Sequence, residues 1–160
     1  MYNIKVITSK DMEVIERCEE ISWKNSMING KTFQSVGLCN QASYLVCILD
    51  GSYIIGYAAL FENFTLRGNL HIAQLEVDAN YLNKKIEQSL IKFILKHSNQ
   101  YKNITTDLKN KDLNRLRLFK NLGFKVLFDG GNNTRLFVET QDLAGTLNMN
   151  FNSIQNDFNL

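Results

Sequence analysis

Apolar and polar positions change period several times along this 160-residue chain, and each change marks an element. Residues 2 to 7 alternate as an edge strand does. Thr8 followed three residues later by Asp11 reads as a capping-box start for a helix. Val14, Ile15, Cys18 and Ile21 then recur at helical spacing, while Glu13, Glu16, Glu19 and Glu20 fall mainly on the other face. Residues 22 to 42 are polar and irregular, with a turn at Asn29-Gly30, and read as a loop able to line a pocket. Ser43 to Leu49 and Tyr53 to Phe61 are β-rich runs joined by Asp50-Gly51-Ser52, a hairpin signal.

Gly68-Asn69 breaks the chain before a strand from Leu70 to Val77. The helix after it carries Ile86, Leu90, Phe93, Ile94 and His97 on one side, so it should pack on a sheet. Ile104 to Leu108 is a further short strand, and strand, helix, strand in succession implies a parallel crossover. Leu113, Leu116, Phe119 and Leu122 repeat at helical spacing until Gly123 stops the helix. Phe124 to Phe128 and Thr134 to Thr140 close the pattern as two strands around Asp129-Gly130-Gly131-Asn132. The order is β-α-β-β-β-α-β-α-β-β, an α/β (α+β) fold on a mixed sheet of about six to seven strands flanked by helices. Residues 141 to 160 are Asn-rich and weakly patterned, and are expected to fray as a tail.

A strand, a short turn and an amphipathic helix over residues 70 to 96 place a helix N-terminus, with its free N–H groups, where a phosphate could sit. The turn carries Asn83, Lys85 and Glu87 where close approach to a pyrophosphate favours glycine. Charge sharpens the picture. Residues 81 to 125 hold eleven Lys/Arg against three Asp/Glu, whereas residues 1 to 80 hold six against nine. The positive block begins at the proposed turn. It suits a polyanionic ligand such as a nucleotide or coenzyme, or it simply solvates a helix face through Lys92, Lys96 and Lys102.

With 44% apolar and 21% charged residues, the chain has the mix of one ordinary domain with its own core. No window approaches 18 uninterrupted apolar residues, and Met1-Tyr2-Asn3-Ile4-Lys5 lacks a secretory layout, so a cytoplasmic protein is expected. Cys18, Cys39 and Cys47 are widely spaced without a nearby histidine, which predicts buried thiols and no disulfide framework or metal site. No proline occurs, which together with abundant Asn, Lys and Ile suggests an AT-rich genome.

The element order, the hairpin Asp50-Gly51-Ser52-Tyr53-Ile54-Ile55-Gly56-Tyr57-Ala58, the run Leu75-x-Val77-x-x-x-Tyr81 and the ending Leu118-Phe119-Lys120-Asn121-Leu122-Gly123-Phe124 together resemble the GNAT superfamily of acetyl-coenzyme A dependent N-acetyltransferases. The resemblance covers roughly residues 2 to 140, so residues 1 to 140 are assigned to one acyltransferase-like domain. It implies that the fourth and fifth strands splay and that the acetyl-pantetheine arm lies between them like an added strand. The backbone of Leu75, Glu76 and Val77 would hold that arm. The pyrophosphate turn Gln/Arg-x-x-Gly-x-Gly/Ala falls on Leu82 to Glu87, taking in Leu82, Asn83, Lys84, Lys85, Ile86 and Glu87, with all three key positions changed. Lys84 and Lys85 could supply by side chain what the turn lost in backbone. The position of the family's usual tyrosine acid is Phe119, and the Asn and small residue that precede it by seven and four places are Asp112 and Arg115.

For catalysis, Tyr57 and Tyr81 remain as alternative hydroxyls to Phe119, with Tyr81 the one retained as a candidate. His71 lies six residues before Val77 and would share its face, as a general base of ordinary pKa near 6.5; Gln74 and Glu76 would then point the other way. The resemblance implies an enzyme that moves acetyl from acetyl-CoA, a co-substrate, to a primary amine of a small molecule or peptide by direct attack in a ternary complex. The acidic first helix hints at a cationic amine. The competing reading is a GNAT-fold binding or regulatory module that has lost transfer. Nucleic-acid binding through residues 81 to 125 is the weaker third, since no stacking aromatics accompany the lysines. No membrane partner is expected, and a homodimer is allowed for.

Overall fold

Seven strands make one mixed sheet in the order β1-β2-β3-β4-β5-β7-β6 in the computed structural model, which describes residues 2–7, 11–28, 38–64, 66–81 and 84–140. The strands are β1 (Tyr2–Ile7), β2 (Tyr44–Asp50), β3 (Tyr53–Glu62), β4 (Asn69–Val77), β5 (Asn103–Lys109), β6 (Lys125–Gly130) and β7 (Asn133–Glu139). All neighbours are antiparallel except β4 and β5, which the helix α3 (Lys84–Lys96) connects as the expected parallel crossover. The remaining helices among the described residues are α1 (Met12–Ile28), the short α2 (Leu38–Gln41) and α4 (Leu113–Asn121), with a 3₁₀ turn at Ala79–Tyr81. β1 is an edge strand, as its alternation predicts. The turn expected at Asn29-Gly30, the cap at Thr8 and the tail from residue 141 lie outside the described residues.

The start and the length of α1 are set by its polar residues. Asp11 caps α1, its Oδ1 accepting from the amides of Glu13 at 3.1 Å and Val14 at 3.4 Å. The helix also runs on through residues 22 to 28, which had been expected as loop. The polar character of that stretch misleads because its polar side chains face β4 and make specific bonds there, as set out below.

Each face of the sheet has its own core. On one face Val46, Ile48, Ile55, Ala58, Leu60, Leu70, Ile72, Leu75 and Val77 pack with Ile86, Leu90, Ile91 and Ile94 of α3 and with Phe119 of α4. On the other, Ile15, Cys18 and Ile21 of α1 pack on Leu45, Cys47, Leu49, Ile54, Tyr57 and Ala59. The cysteines are buried, as expected, and Cys39 of α2 shares this second core. Sequence spacing hides their proximity: Cys18 Sγ lies 4.0 Å from Cys47 Sγ.

Gly123, at φ +100°, ends α4 in the left-handed region, where a side chain would be strained. β4 contains a bulge. Ile72 pairs with Leu60 and Gln74 with Ala59, so Ala73 is an extra residue with no partner on β3. The bulge shifts the strand's alternation by one. Leu70 and Ile72 before it and Leu75 and Val77 after it therefore share one face, and His71 belongs with Gln74 and Glu76 on the other. The expectation that His71 shares the face of Val77 is overturned for this reason.

Arg17 fastens α1 over the ends of β3 and β4. Its Nε donates to Ile54 O at 3.0 Å, Nη2 to Asp78 Oδ2 at 2.7 Å and Nη1 to Glu20 Oε2 at 2.8 Å, while the guanidinium lies 4.1 Å from the Tyr53 ring centroid. Asp78 is buried, and its Oδ1 also accepts from the Asn80 amide at 2.9 Å. Burial alone would push the Asp78 carboxyl up, but the Asn80 amide and Arg17 outweigh it and hold it below its ordinary value. Asp78→Asn is expected to lower stability by about 1–3 kcal/mol at neutral pH. A depressed carboxyl contributes fully above its unfolded value of about 3.9 and loses that contribution below it. Denaturant melts of the two proteins should therefore converge as the pH falls below about 4.

Candidate functional site

β4 and β5 begin as partners and then part. Pairing runs from Asn69↔Asn103 to Ile72↔Thr106, where Thr106 Oγ1 donates to Ile72 O at 2.9 Å, and stops there although β4 continues to Val77 and β5 to Lys109. β5 stays on β7 as far as Lys109↔Asn133, so it is β4 that turns away, at the bulge residue Ala73. The gap is a cleft of about 770 Å³. Ala73, Leu75 and Glu76 form one wall, Asp107 and Lys109 the other, and Asp112, Arg115 and Phe119 of α4 close one side. Ser22 and Ser26 of α1 reach it from the opposite face.

Electrostatics divide the cleft. On the α1 side, Gln74 Nε2 donates to Ser22 Oγ, and Asn25 Nδ2 bridges Glu76 Oε2 at 2.8 Å and Val77 O at 2.9 Å. These bonds explain why α1 continues through a polar stretch. On the α4 side, Asp112 caps its helix by accepting from the Arg115 amide at 3.2 Å. The Arg115 side chain leaves α4 and crosses to β4, where Nη2 donates to Leu75 O at 2.7 Å and Nε to Glu87 Oε1 at 2.6 Å. Asp112 Oδ2 stands 3.8 Å from the same Nε.

The residues expected at a coenzyme site thus meet in part. Leu75, Glu76, Asp112, Arg115 and Phe119 all border the cleft. Phe119 is fully buried against Phe124, edge to face at 5.0 Å between centroids, and contributes shape but no proton. At the start of α3, Glu87 turns to Arg115, which neutralises the carboxylate expected to repel phosphate, and Ile86 is a core residue that can offer only backbone. Lys85 is exposed. Val77 points into the α3-side core. Leu82, Asn83 and the Lys84 side chain lie outside the described residues. Among the described residues no group of three or more His, Cys, Asp or Glu could hold a metal, and no helix is long and apolar enough to cross a membrane.

The two catalytic candidates do not border the cleft. Tyr81 ends the 3₁₀ turn and packs against the α3-side core. His71 is 3% exposed beneath Phe64, whose ring stacks on it at 4.5 Å, and its Nδ1 shares a 2.8 Å hydrogen bond with Thr105 Oγ1. Burial lowers its pKa to about 4; Asp107, with Oδ2 at 3.8 Å from Nε2, opposes the shift only partly. Neither the access nor the basicity expected of it is present. The stretch from residue 22 was expected to line a pocket, and Ser22 and Ser26 do so, but from a helix. Gln74 and Glu76 lie opposite Val77 as expected, yet were set aside as less suited because the bulge that moves His71 off the face of Val77 has no signature in the sequence.

The model of the acetyltransferase (GNAT) family matches residues 12–124. No curated protein matches the chain in sequence. Among solved structures, an N-acetyltransferase from Staphylococcus aureus Mu50 superposes with a TM-score of 0.67 at 20% identity, over 88% of this chain and 99% of that one. The diaminobutyrate acetyltransferase EctA from Paenibacillus lautus, in complex with L-2,4-diaminobutyric acid and coenzyme A, gives 0.68 at 11% identity over 88% and 95%. The PaiA N-acetyltransferase from Thermoplasma acidophilum, in complex with coenzyme A, gives 0.63 at 15% identity over 87% and 99%. At these identities the likeness is one of fold.

The His71 imidazole is expected to stay neutral from pH 7 down to about 5 and to titrate near pH 4. Ring-proton chemical shifts followed by NMR between pH 3 and 8 check this, and a midpoint near the ordinary value of about 6.5 would contradict it.

Proposed function

Because the chain belongs to the acetyltransferase (GNAT) family, we propose that it transfers acetyl from acetyl-CoA to a primary amine by direct attack within a ternary complex. The observation that carries this reading is the parting of β4 from β5 after Ile72, which opens an unpaired β4 edge of the length an extended thioester arm needs. That arm would lie against Leu75, Glu76 and Val77, with the phosphates toward the start of α3, where the helix dipole and Lys85 favour negative charge. The bulge at Ala73 frees backbone groups of β4 from β3, so an amide there is available to polarise the acetyl carbonyl.

In the reaction the amine nitrogen attacks the carbonyl carbon, a C–N bond forms, the C–S bond breaks and the thiolate leaves. Positioning supplies most of the rate. Of the carboxylates at the cleft, Glu76 is placed to take the proton from the amine: it borders the cleft and is oriented by Asn25. Asp107 is committed to Arg135, whose Nε and Nη2 bind its two oxygens at 2.7 and 2.8 Å. A small amine or a peptide terminus would enter between α1 and β4, past Ser22, Ser26 and Gln74.

Calorimetric titration with acetyl-CoA should show micromolar binding, weakened about tenfold in a Lys84→Ala, Lys85→Ala double variant that loses phosphate attraction. Thiol release assayed over a panel of diamines and peptides identifies the acceptor. With that acceptor, Glu76→Gln should reduce kcat by about 10²-fold or more while leaving donor affinity nearly unchanged. Absence of binding up to millimolar acetyl-CoA would sink the transfer reading and leave a binding module of the same fold.

A further inference from the structure

The Arg115 guanidinium bonds to the stretch of β4 along which the donor arm of the reading above would lie. β4 loses its strand partner after Ile72, so backbone acceptors in its distal half look into the cleft. One of them, Leu75 O, is already engaged by Arg115 Nη2 at 2.7 Å. A carbonyl oxygen can accept two hydrogen bonds, so the lone pair is not the obstacle. The obstacle is volume: a side chain rooted on α4 that bonds to β4 bridges the slot. Its position is fixed from a second direction by Glu87 at 2.6 Å, and the two side chains are 27% and 19% exposed. A charge-assisted pair this sheltered holds more firmly than one on an open surface.

We propose that the Arg115 and Glu87 pair is a latch across the donor slot, and that displacement of Arg115 from Leu75 O sets the affinity of this protein for its acyl donor. The proposal rests on the reading of the cleft as a thioester-donor site. Arg115 in this role acts against the donor, in contrast to an arginine that binds phosphate. The distinction makes the direction of the effect decisive, because removing a phosphate ligand weakens binding and removing a latch strengthens it.

The test is calorimetry on the full chain with two probes, acetyl-CoA and S-acetyl-pantetheine, the second lacking all phosphates. Arg115→Ala is compared with wild type, and Arg115→Met, which keeps the apolar stem, serves where alanine impairs folding. S-acetyl-pantetheine should bind at least tenfold more tightly to a folded variant, and acetyl-CoA should gain less, because loss of Arg115 leaves the Glu87 carboxylate unneutralised near the phosphates. In wild type the Arg115 Nε–H resonance, held by Glu87, should shift on saturation with S-acetyl-pantetheine. Unchanged or weaker binding of S-acetyl-pantetheine by a folded variant, or an unmoved resonance at saturation, overturns the latch, and wild-type binding in that experiment leaves the acetyltransferase reading standing. Failure of wild type and variants alike to bind either probe at millimolar concentration overturns both.

Discussion

The bulge at Ala73 is the constraint on which the rest of this site depends. It falls immediately after the last β4 and β5 pair, Ile72↔Thr106, and an extra residue there bends and twists the strand that carries it. Without the bend, β4 and β5 would continue as an ordinary parallel ladder and no cleft would exist. The paired half is correspondingly firm. Asn69 Nδ2 donates to Asn103 Oδ1 at 2.6 Å and Thr105 Oγ1 at 3.1 Å, and His71 joins the same buried chain. His71 is thus part of the hinge from which the two strands diverge, and its low basicity follows from burial there.

The same extra residue decides what the cleft contains. By shifting the alternation of β4, it sends Leu75 and Val77 into the α3-side core and turns Gln74 and Glu76 toward α1. α1 responds with Ser22 and Asn25, so a stretch that reads as loop is a helix held by bonds to β4. Arg17 and Asp78 lock the arrangement at the far end of the strand. One local irregularity therefore sets the face of a carboxylate, the length of a helix and the width of a slot.

Arg115 and Glu87 show how two departures from a pattern can be one feature. Alone, a glutamate at the start of α3 sets a negative charge where phosphate is expected, and an arginine on α4 intrudes on a narrow slot. Together they neutralise each other from positions 28 residues apart in the chain, at 2.6 Å. No local reading of either segment pairs them, because their partnership depends on how α3 and α4 converge beside β4.

The sequence by itself determined the element order, the hairpins at Asp50-Gly51-Ser52 and around Gly131, the parallel crossover through α3 and the family resemblance, because these rest on periodicity and turn chemistry that act over a few residues. It also marked Leu75, Asp112, Arg115 and Phe119 as neighbours of one site, and the cleft contains all four. Only the tertiary structure decided which way His71 faces, what Glu76 meets there, that α1 extends to Ile28, that Cys18, Cys39 and Cys47 share one core, and that Arg115 reaches Leu75 and Glu87. A bulge leaves composition and period almost untouched, and a long-range ion pair leaves no periodic trace at all. Both are fixed by the geometry of packed strands and helices, so the outline of the fold lies in the chain's local pattern and the character of its site in the way distant segments meet.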